Sequence, residues 1–181
     1  MAPMMKALWR WAWDSQALWI LHWEIKVSKR IASFNCYVLG SSRDYVAELV
    51  KQYEKLVPLQ ETWLFPWDLA VPSTLGIDAN SFSLSSIDVP DRIKARRPYG
   101  RITFIWHRYF GCIIQVKRYQ SDRILSLRVT MNGSSIIFIN VYFPVTSHAK
   151  YEEYIKCLGI LSSILESFEE DHVCTLHTGR L

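Results

Sequence analysis

With 181 residues, half of them hydrophobic, the chain is long enough for one domain with a sizeable core, and its composition excludes a disordered protein. The formal net charge of +4 falls short of the basic excess that marks a nucleic-acid-binding protein, so charge alone assigns no partner. Four scattered cysteines without a Cys-x-x-Cys pair (Cys36, Cys112, Cys157 and Cys174) argue against a zinc site or a disulfide framework and indicate a reducing, intracellular compartment, the nucleus or the cytoplasm.

The first 28 residues differ in kind from the rest. They hold five of the eight tryptophans, and polar residues such as Asp14 interrupt every apolar run. A membrane-spanning helix needs about 20 apolar residues and a secretory signal needs an unbroken apolar centre, so we predict neither. Lys6 and Arg10 leave an interfacial amphipathic helix as an alternative. We expect residues 1–28 to be a Trp-rich leader outside the fold and residues 29–181 to be the folded domain.

Beyond the leader, strand patterns and helix patterns alternate. A strand is predicted over residues 31–34, and a helix capped by Ser41-Ser42 follows. A second strand ends at Glu61. Residues 66–94 lack any periodicity, and at this length that predicts a functional or mobile loop.

The second half of the chain predicts more strands and one long helix. The strands cover residues 102–106, 112–116, 124–129 and 136–142, and Asn132-Gly133 suits a two-residue hairpin between the last two. A helix capped by Ser147 comes next, and a final strand begins near His172. The apolar face of that helix is predicted to comprise Tyr151, Tyr154, Ile155, Leu158, Leu161, Leu165 and Phe168.

Three polar residues at the ends of these strands suit phosphodiester chemistry. Hydrolysis of a phosphodiester needs a hard cation on a phosphate oxygen, an activated water and donors for the developing charge. Magnesium accepts one or two protein carboxylates, and Glu61 is the candidate. The amide of Asn35 can orient that carboxylate, and the phenol of Tyr142 can donate to phosphate oxygens. Each residue taken alone also fits a plain turn or strand-end role.

The segments around these residues resemble a known family. Together they are similar to the endonuclease/exonuclease/phosphatase superfamily, and within it to the apurinic-like endonuclease domain of non-long-terminal-repeat retrotransposons, which precedes a reverse transcriptase. The segments are Ser33-Phe34-Asn35-Cys36, Leu59-Gln60-Glu61-Thr62-Trp63-Leu64, Arg97-Pro98-Tyr99-Gly100 with residues 102–106, Asp122-Arg123-Ile124-Leu125 and Asn140-Val141-Tyr142-Phe143-Pro144.

The resemblance implies a site and a substrate. Glu61 would bind one Mg²⁺ (or Mn²⁺), Asn35 would orient the Glu61 carboxylate, and Tyr142 would contact the scissile phosphate of DNA. The implied fold is α/β, a DNase-like two-layered α/β sandwich that is incomplete here. It would have a mixed sheet with outer helices and a largely missing second sheet. An uncovered apolar sheet face would then favour an oligomer or aggregation.

The sequence departs from the family near residue 181. The Gly-Asp-Phe-Asn motif, which positions the attacking water, should follow the last strand, but Gly179-Arg180-Leu181 stands there. The later Ser-Asp-His motif is absent from these 181 residues. We therefore expect a truncated endonuclease that is catalytically inactive as it stands and binds its metal weakly.

Two alternative functions stay open. Arg96, Arg97 and Arg101, together with Arg92 and Lys94, form a basic loop that could meet DNA phosphates. The chain could then be a non-catalytic fragment that binds nucleic acid or protein. The other alternative is a phosphatase of the same superfamily.

Overall fold

A computed structural model of the chain describes residues 18–21, 31–52, 56–85, 101–108, 110, 113–131, 134–144, 151–168 and 172–178. The strands in chain order are β1 (Leu18–Leu21), β2 (Ile31–Asn35), β3 (Leu56–Gln60), β4 (Ala79–Ser83), β5 (Ile102–His107), β6 (Ile113–Tyr119), β7 (Ser121–Met131), β8 (Ser134–Tyr142) and β9 (His172–Thr178). The helices are α1 (Arg43–Gln52) and α2 (Tyr151–Glu166), and two short 3-10 turns cover Pro66–Asp68 and Val71–Thr74.

The first sheet has five strands in the order β1-β2-β3-β5-β4. The pair β2 and β3 is parallel and is connected through α1, whereas the other pairs are antiparallel. The predicted strand-helix-strand unit and the strand over residues 102–106 are thus confirmed. Strand β4 was missed, because Ala79-Asn80-Ser81-Phe82-Ser83 shows no apolar alternation and the strand lies at the edge of the sheet. Residues 86–94 of the predicted loop lie outside the described residues.

The second sheet has four strands in the order β6-β7-β8-β9. Strands β6, β7 and β8 form an antiparallel meander, and β9 joins β8 in parallel. The predicted α/β class with a mixed sheet is confirmed, but the expectation of a largely missing second sheet is corrected by these four strands. Apolar alternation identifies each strand without showing to which of two sheets it belongs.

The two sheets pack face to face between the two helices. The inner core joins Leu56 and Phe104 of the first sheet to Leu125, Leu127 and Phe138 of the second. Helix α1 covers the outer face of the first sheet, and α2 covers the outer face of the second. The apolar sheet face that was expected to be exposed is therefore buried, and association through such a face is not supported.

Helix α2 buries a different stripe from the one predicted. Cys157 and Ile164 are buried, with Ile160, Leu161 and Phe168 packed beside them. Four residues of the predicted face are instead exposed: Tyr151, Ile155, Leu158 and Leu165. The helix is apolar on most of its circumference, so periodicity could not choose between two overlapping stripes.

Part of the predicted leader lies in the first sheet. Leu18–Leu21 forms β1, which pairs antiparallel with β2 from Leu18 opposite Phe34 to Leu21 opposite Ile31. Residues 1–17 and 22–28 lie outside the described residues. Within the described ranges, neither helix has the length and apolar character needed to cross a membrane.

The two sheets are also joined by hydrogen bonds through the buried amide of Asn140 on β8. Its Nδ2 donates to the backbone oxygens of Leu59 (3.0 Å) on β3 and Thr103 (3.1 Å) on β5. Its Oδ1 accepts from Nε2 of Gln60 at 2.7 Å, and the same Nε2 also donates to Ser33 Oγ at 3.0 Å. All of these side chains are buried, so each bond satisfies a polar group that water cannot reach.

We predict that Asn140→Ala lowers the free energy of unfolding by about 3 kcal/mol, because it leaves buried acceptors and a donor without partners, each worth ~1–3 kcal/mol. Urea unfolding followed by circular dichroism measures the loss. Asn80→Ala on the edge strand β4, where the side chain is partly exposed, is the matched control and should stay within about 0.5 kcal/mol of the parent. Equal losses in the two variants would show that the Asn140 hydrogen bonds between the sheets do not add to the free energy of unfolding.

Candidate metal and phosphate site

The ends of β2 and β3 bring together the two residues predicted to hold a metal. Asn35 lies opposite Gln60 in the parallel register, so Glu61 follows directly at the same edge. Asn35 Nδ2 donates to Glu61 Oε1 at 2.9 Å, and Asn35 Oδ1 accepts from the backbone N–H of Tyr37 at 3.0 Å. Both ends of the amide are engaged, and this fixes its orientation beside the carboxylate. The Glu61 residue is 8% exposed.

The backbone around this pair is strained. Tyr37, Glu61 and Trp63 have φ values of 56°, 51° and 51°, and Arg101, next to Thr62, has a φ of 80°. This left-handed region costs a residue with a side chain about 1–2 kcal/mol. Only Asp78 shares such a conformation elsewhere among the described non-glycine residues. Strain of this kind tends to collect at functional sites, where the surrounding structure holds it in place.

The thiol of Cys36 lies under the site. Burial, and then the charge of Glu61, raise the pKa of Cys36 far above its ordinary value. Its backbone N–H donates to Gln60 O at 2.8 Å, which ties the loop after β2 to the end of β3. The sulfur is therefore held as a neutral thiol at physiological pH, and a neutral thiol is a poor nucleophile.

Tyr142 lies at the same end of the two sheets as Glu61. The backbone N–H of Thr62 donates to Arg101 O at 3.3 Å, and the Arg101 guanidinium forms an ion pair with Asp122. Strands β7 and β8 are antiparallel, and Ile124 lies opposite Val141. The start of β7, which carries Asp122, therefore lies beside the end of β8, which carries Tyr142. The partly exposed Tyr142 ring packs against the core between the sheets.

A second ion pair lies against the tyrosine. Arg123 Nε donates to Glu153 Oε1 on α2 at 2.8 Å. The Arg123 guanidinium carbon lies 5.4 Å from the centre of the Tyr142 ring, within the range of a cation–π contact. Arg123 therefore connects the first turn of α2 to the ring of Tyr142.

The proposed basic loop is described only at its last member. Arg92, Lys94, Arg96 and Arg97 lie outside the described residues. Arg101 is 9% exposed and paired with Asp122, so its guanidinium is not presented on an open surface. In the part of the chain that the structure describes, no three or more His, Cys, Asp or Glu side chains come together as a ready metal cluster.

Sequence reasoning missed several residues that shape the site. Gln60 and Asn140 form the buried polar link behind Glu61, and Tyr37, Trp63 and Arg123 surround the candidate residues. The sequence does indicate a buried polar role for Gln60 and Asn140, since each is an amide in an otherwise apolar strand. No sequence pattern indicates the left-handed backbone at Tyr37 and Trp63, because aromatic residues rarely adopt that conformation.

No family model matches the sequence, and no curated protein matches it. Similar folds do occur among solved structures. The catalytic domain of APE2 from Xenopus laevis has a TM-score of 0.57 at 18% identity, covering 81% of this chain and 57% of that one. The 3′ phosphatase NExo from Neisseria, bound to a product DNA hairpin, has a TM-score of 0.54 at 16% identity, covering 81% of this chain and 56% of that one.

The retrotransposon branch is represented too. The endonuclease domain of TRAS1, a telomere-specific non-LTR retrotransposon, has a TM-score of 0.51 at 9% identity, covering 82% of this chain and 59% of that one. The likeness confirms the DNase-like α/β fold and, at these identities, shows the fold alone. The chain spans little more than half the length of these three structures.

We predict that stability falls at alkaline pH partly through Cys36. The thiol keeps its proton in the folded state but loses it in the unfolded chain near its ordinary pKa of 9.0. Its contribution is complete below that pH and declines above it, by at most about 1.4 kcal/mol per pH unit. Cys36→Ala should therefore show a shallower decline in the free energy of unfolding between pH 8 and pH 10.5.

Urea unfolding at several pH values measures both declines. Burial also raises the pKa of Tyr119 and Cys157, and both proteins retain these groups, so the difference between the two curves isolates Cys36. Parallel curves for the parent and Cys36→Ala would contradict the prediction.

Proposed function

We propose that this chain supplies the metal-binding part of a divalent-metal-dependent endonuclease that nicks DNA, of the type that accompanies retrotransposon reverse transcriptases. The observation that carries the proposal is the hydrogen bond from Asn35 to Glu61, made where the backbone of Glu61 is held in a strained conformation. The nuclease-like fold supports it, as does the resemblance of the segments around both residues to retrotransposon endonucleases.

The donors at this site fit Mg²⁺ or Mn²⁺. Glu61 offers a hard carboxylate, and the Asn35 amide orients it without adding charge. Carboxylate oxygen is the hard donor that both of these cations prefer. When bound, such a cation withdraws charge from a phosphate oxygen and so favours attack by water.

We assign the remaining roles to the protein's own groups. Asn35 holds the carboxylate of Glu61 in one orientation, since its own Oδ1 is fixed by the N–H of Tyr37. Tyr142 donates its phenol to a phosphate oxygen, and Arg123 holds the ring and adds positive charge beside it. Arg96 and Arg97 contact DNA phosphates, whereas Arg101 braces Asp122 instead.

The proposal separates the nicking activity of a complete enzyme from what these 181 residues do by themselves. Among the described residues, no three or more His, Cys, Asp or Glu side chains come together at Glu61. We infer that the 181 residues by themselves bind a divalent ion weakly and do not turn over. Binding of DNA without cleavage is the second candidate function, and the lack of such a ligand cluster is the observation that favours it.

We predict that the chain binds Mn²⁺ through Glu61. The free ion gives a six-line electron paramagnetic resonance signal that weakens on binding, so titration yields the affinity. Glu61→Gln should abolish measurable binding because it removes the charged ligand, and Asn35→Ala should weaken binding roughly 10-fold, as loss of an orienting partner does.

The matched control is Glu48→Gln, an exposed glutamate on α1 that pairs with Lys51. It should bind Mn²⁺ as the parent does. If Glu61→Gln and Glu48→Gln bind equally well, Glu61 is not the metal ligand and the proposed function fails.

We predict that the purified chain does not detectably nick supercoiled plasmid in Mg²⁺. General-base and electrostatic groups each contribute about 10²- to 10⁴-fold to rate, and the described residues gather no cluster of three or more His, Cys, Asp or Glu side chains that could supply a general base with further ligands. Gel electrophoresis of the plasmid measures the conversion to open circles. Nicking that disappears in Glu61→Gln would overturn the inactive assignment while confirming the metal site.

A further inference from the structure

Two aromatic side chains border the Asn35–Glu61 pair and have no role in metal binding. Tyr37 follows Asn35 by two residues, and Trp63 follows Glu61 by two residues. Their ring centres lie 5.6 Å apart with the planes tilted by 43°. Tyr37 is 60% exposed, so one ring of this pair lies largely in solvent beside the site.

Both aromatic residues occupy unfavourable backbone conformations. At φ values near +50°, glycine or asparagine would be accommodated at low cost, whereas a bulky side chain is strained. An exposed ring at such a position gains little from burial to offset the strain. The observation points to a ring that is retained for what it contacts.

The loop contacts hold the pair in place relative to the site. The backbone N–H of Tyr37 donates to Asn35 Oδ1, and the N–H of Leu39 donates to Thr62 O at 3.2 Å. The loop that carries Tyr37 is therefore fixed to the segment that carries Glu61 and Trp63. The exposed ring is thus carried by a loop that is hydrogen-bonded to Asn35 and to the segment directly after Glu61, and it contacts the ring of Trp63.

We propose that Tyr37 and Trp63 stack against an unpaired nucleobase next to the phosphate bound at this site, so that DNA with an unpaired stretch is bound in preference to a continuous duplex. The proposal rests on the proposed function, because the phosphate location comes from it. A base in a duplex has both faces covered by its neighbours, whereas an unpaired base can stack on an aromatic ring regardless of its identity. The mild net charge of +4 also favours binding that draws on stacking as well as on phosphate contacts.

The test measures binding of three fluorescently labelled DNAs by anisotropy, in Mg²⁺ and at constant salt. The DNAs are a single strand, the duplex of the same sequence, and a single strand whose sites are all abasic. The abasic strand keeps the phosphate charges and removes the bases. The parent protein should bind the normal single strand about 10-fold more tightly than the abasic strand or the duplex.

Tyr37→Gly is the decisive variant. It should lose roughly 10-fold in affinity for the normal single strand and leave the affinity for the abasic strand unchanged. It should also unfold at a higher urea concentration than the parent, because glycine relieves the left-handed backbone. Tyr37→Phe keeps the ring and should bind as the parent does.

Tyr151→Ala on α2 is the matched control, since Tyr151 is 59% exposed and belongs to a different face of the protein. It should leave the affinity for every DNA unchanged. Equal binding of the normal and abasic strands by the parent, or no loss in Tyr37→Gly, would overturn the stacking proposal. That result is separate from the Mn²⁺ titration: stacking with no Glu61-dependent Mn²⁺ binding would sink the proposed function and leave the aromatic contact standing.

Discussion

The buried amide of Asn140 is the contact on which the arrangement of the two sheets depends. It reaches from the second sheet to backbone oxygens of two strands in the first, and it accepts from Gln60, the residue just before Glu61. Apolar packing between sheets is non-directional and tolerates small slides, whereas three hydrogen bonds to fixed partners do not. The position of Glu61 relative to the second sheet is therefore set by a contact one residue away.

The ends of two strands and a strained backbone form the candidate site next to the Asn140 hydrogen bonds. The parallel register of β2 and β3 places Asn35 and Glu61 at one edge, and the left-handed turn at Glu61 ends the strand there. The Arg101–Asp122 ion pair closes the same end from the other sheet. A carboxylate that is oriented by the Asn35 amide and carried on a constrained backbone loses little freedom when it binds a cation, which is the condition for an effective metal ligand.

Most strands, both helices and the two residues of the candidate metal site could be predicted from the sequence, whereas features set by tertiary contacts could not. The pairing of Asn35 with Glu61 was expected from the chemistry of the two side chains and from the family resemblance, and the structure brings them together because both residues stand at the ends of neighbouring parallel strands. The partition into two sheets did not follow, since alternation is the same for strands of either sheet. The buried stripe of α2 and the strained backbone also escaped prediction, because tertiary contacts decide both. Arg101 was assigned to an open basic surface, but Asp122 lies too far along the chain for their pairing to be foreseen.

The chain of contacts from Glu153 through Arg123 to Tyr142 links the outermost helix to the proposed phosphate donor. Helix α2 packs on the second sheet through one buried stripe, and its first turn carries Glu153. Loss of the Glu153 carboxylate would remove the ion pair that holds the Arg123 guanidinium beside the Tyr142 ring. The setting of the phenol therefore depends on a helix that contributes no group of its own to the proposed chemistry.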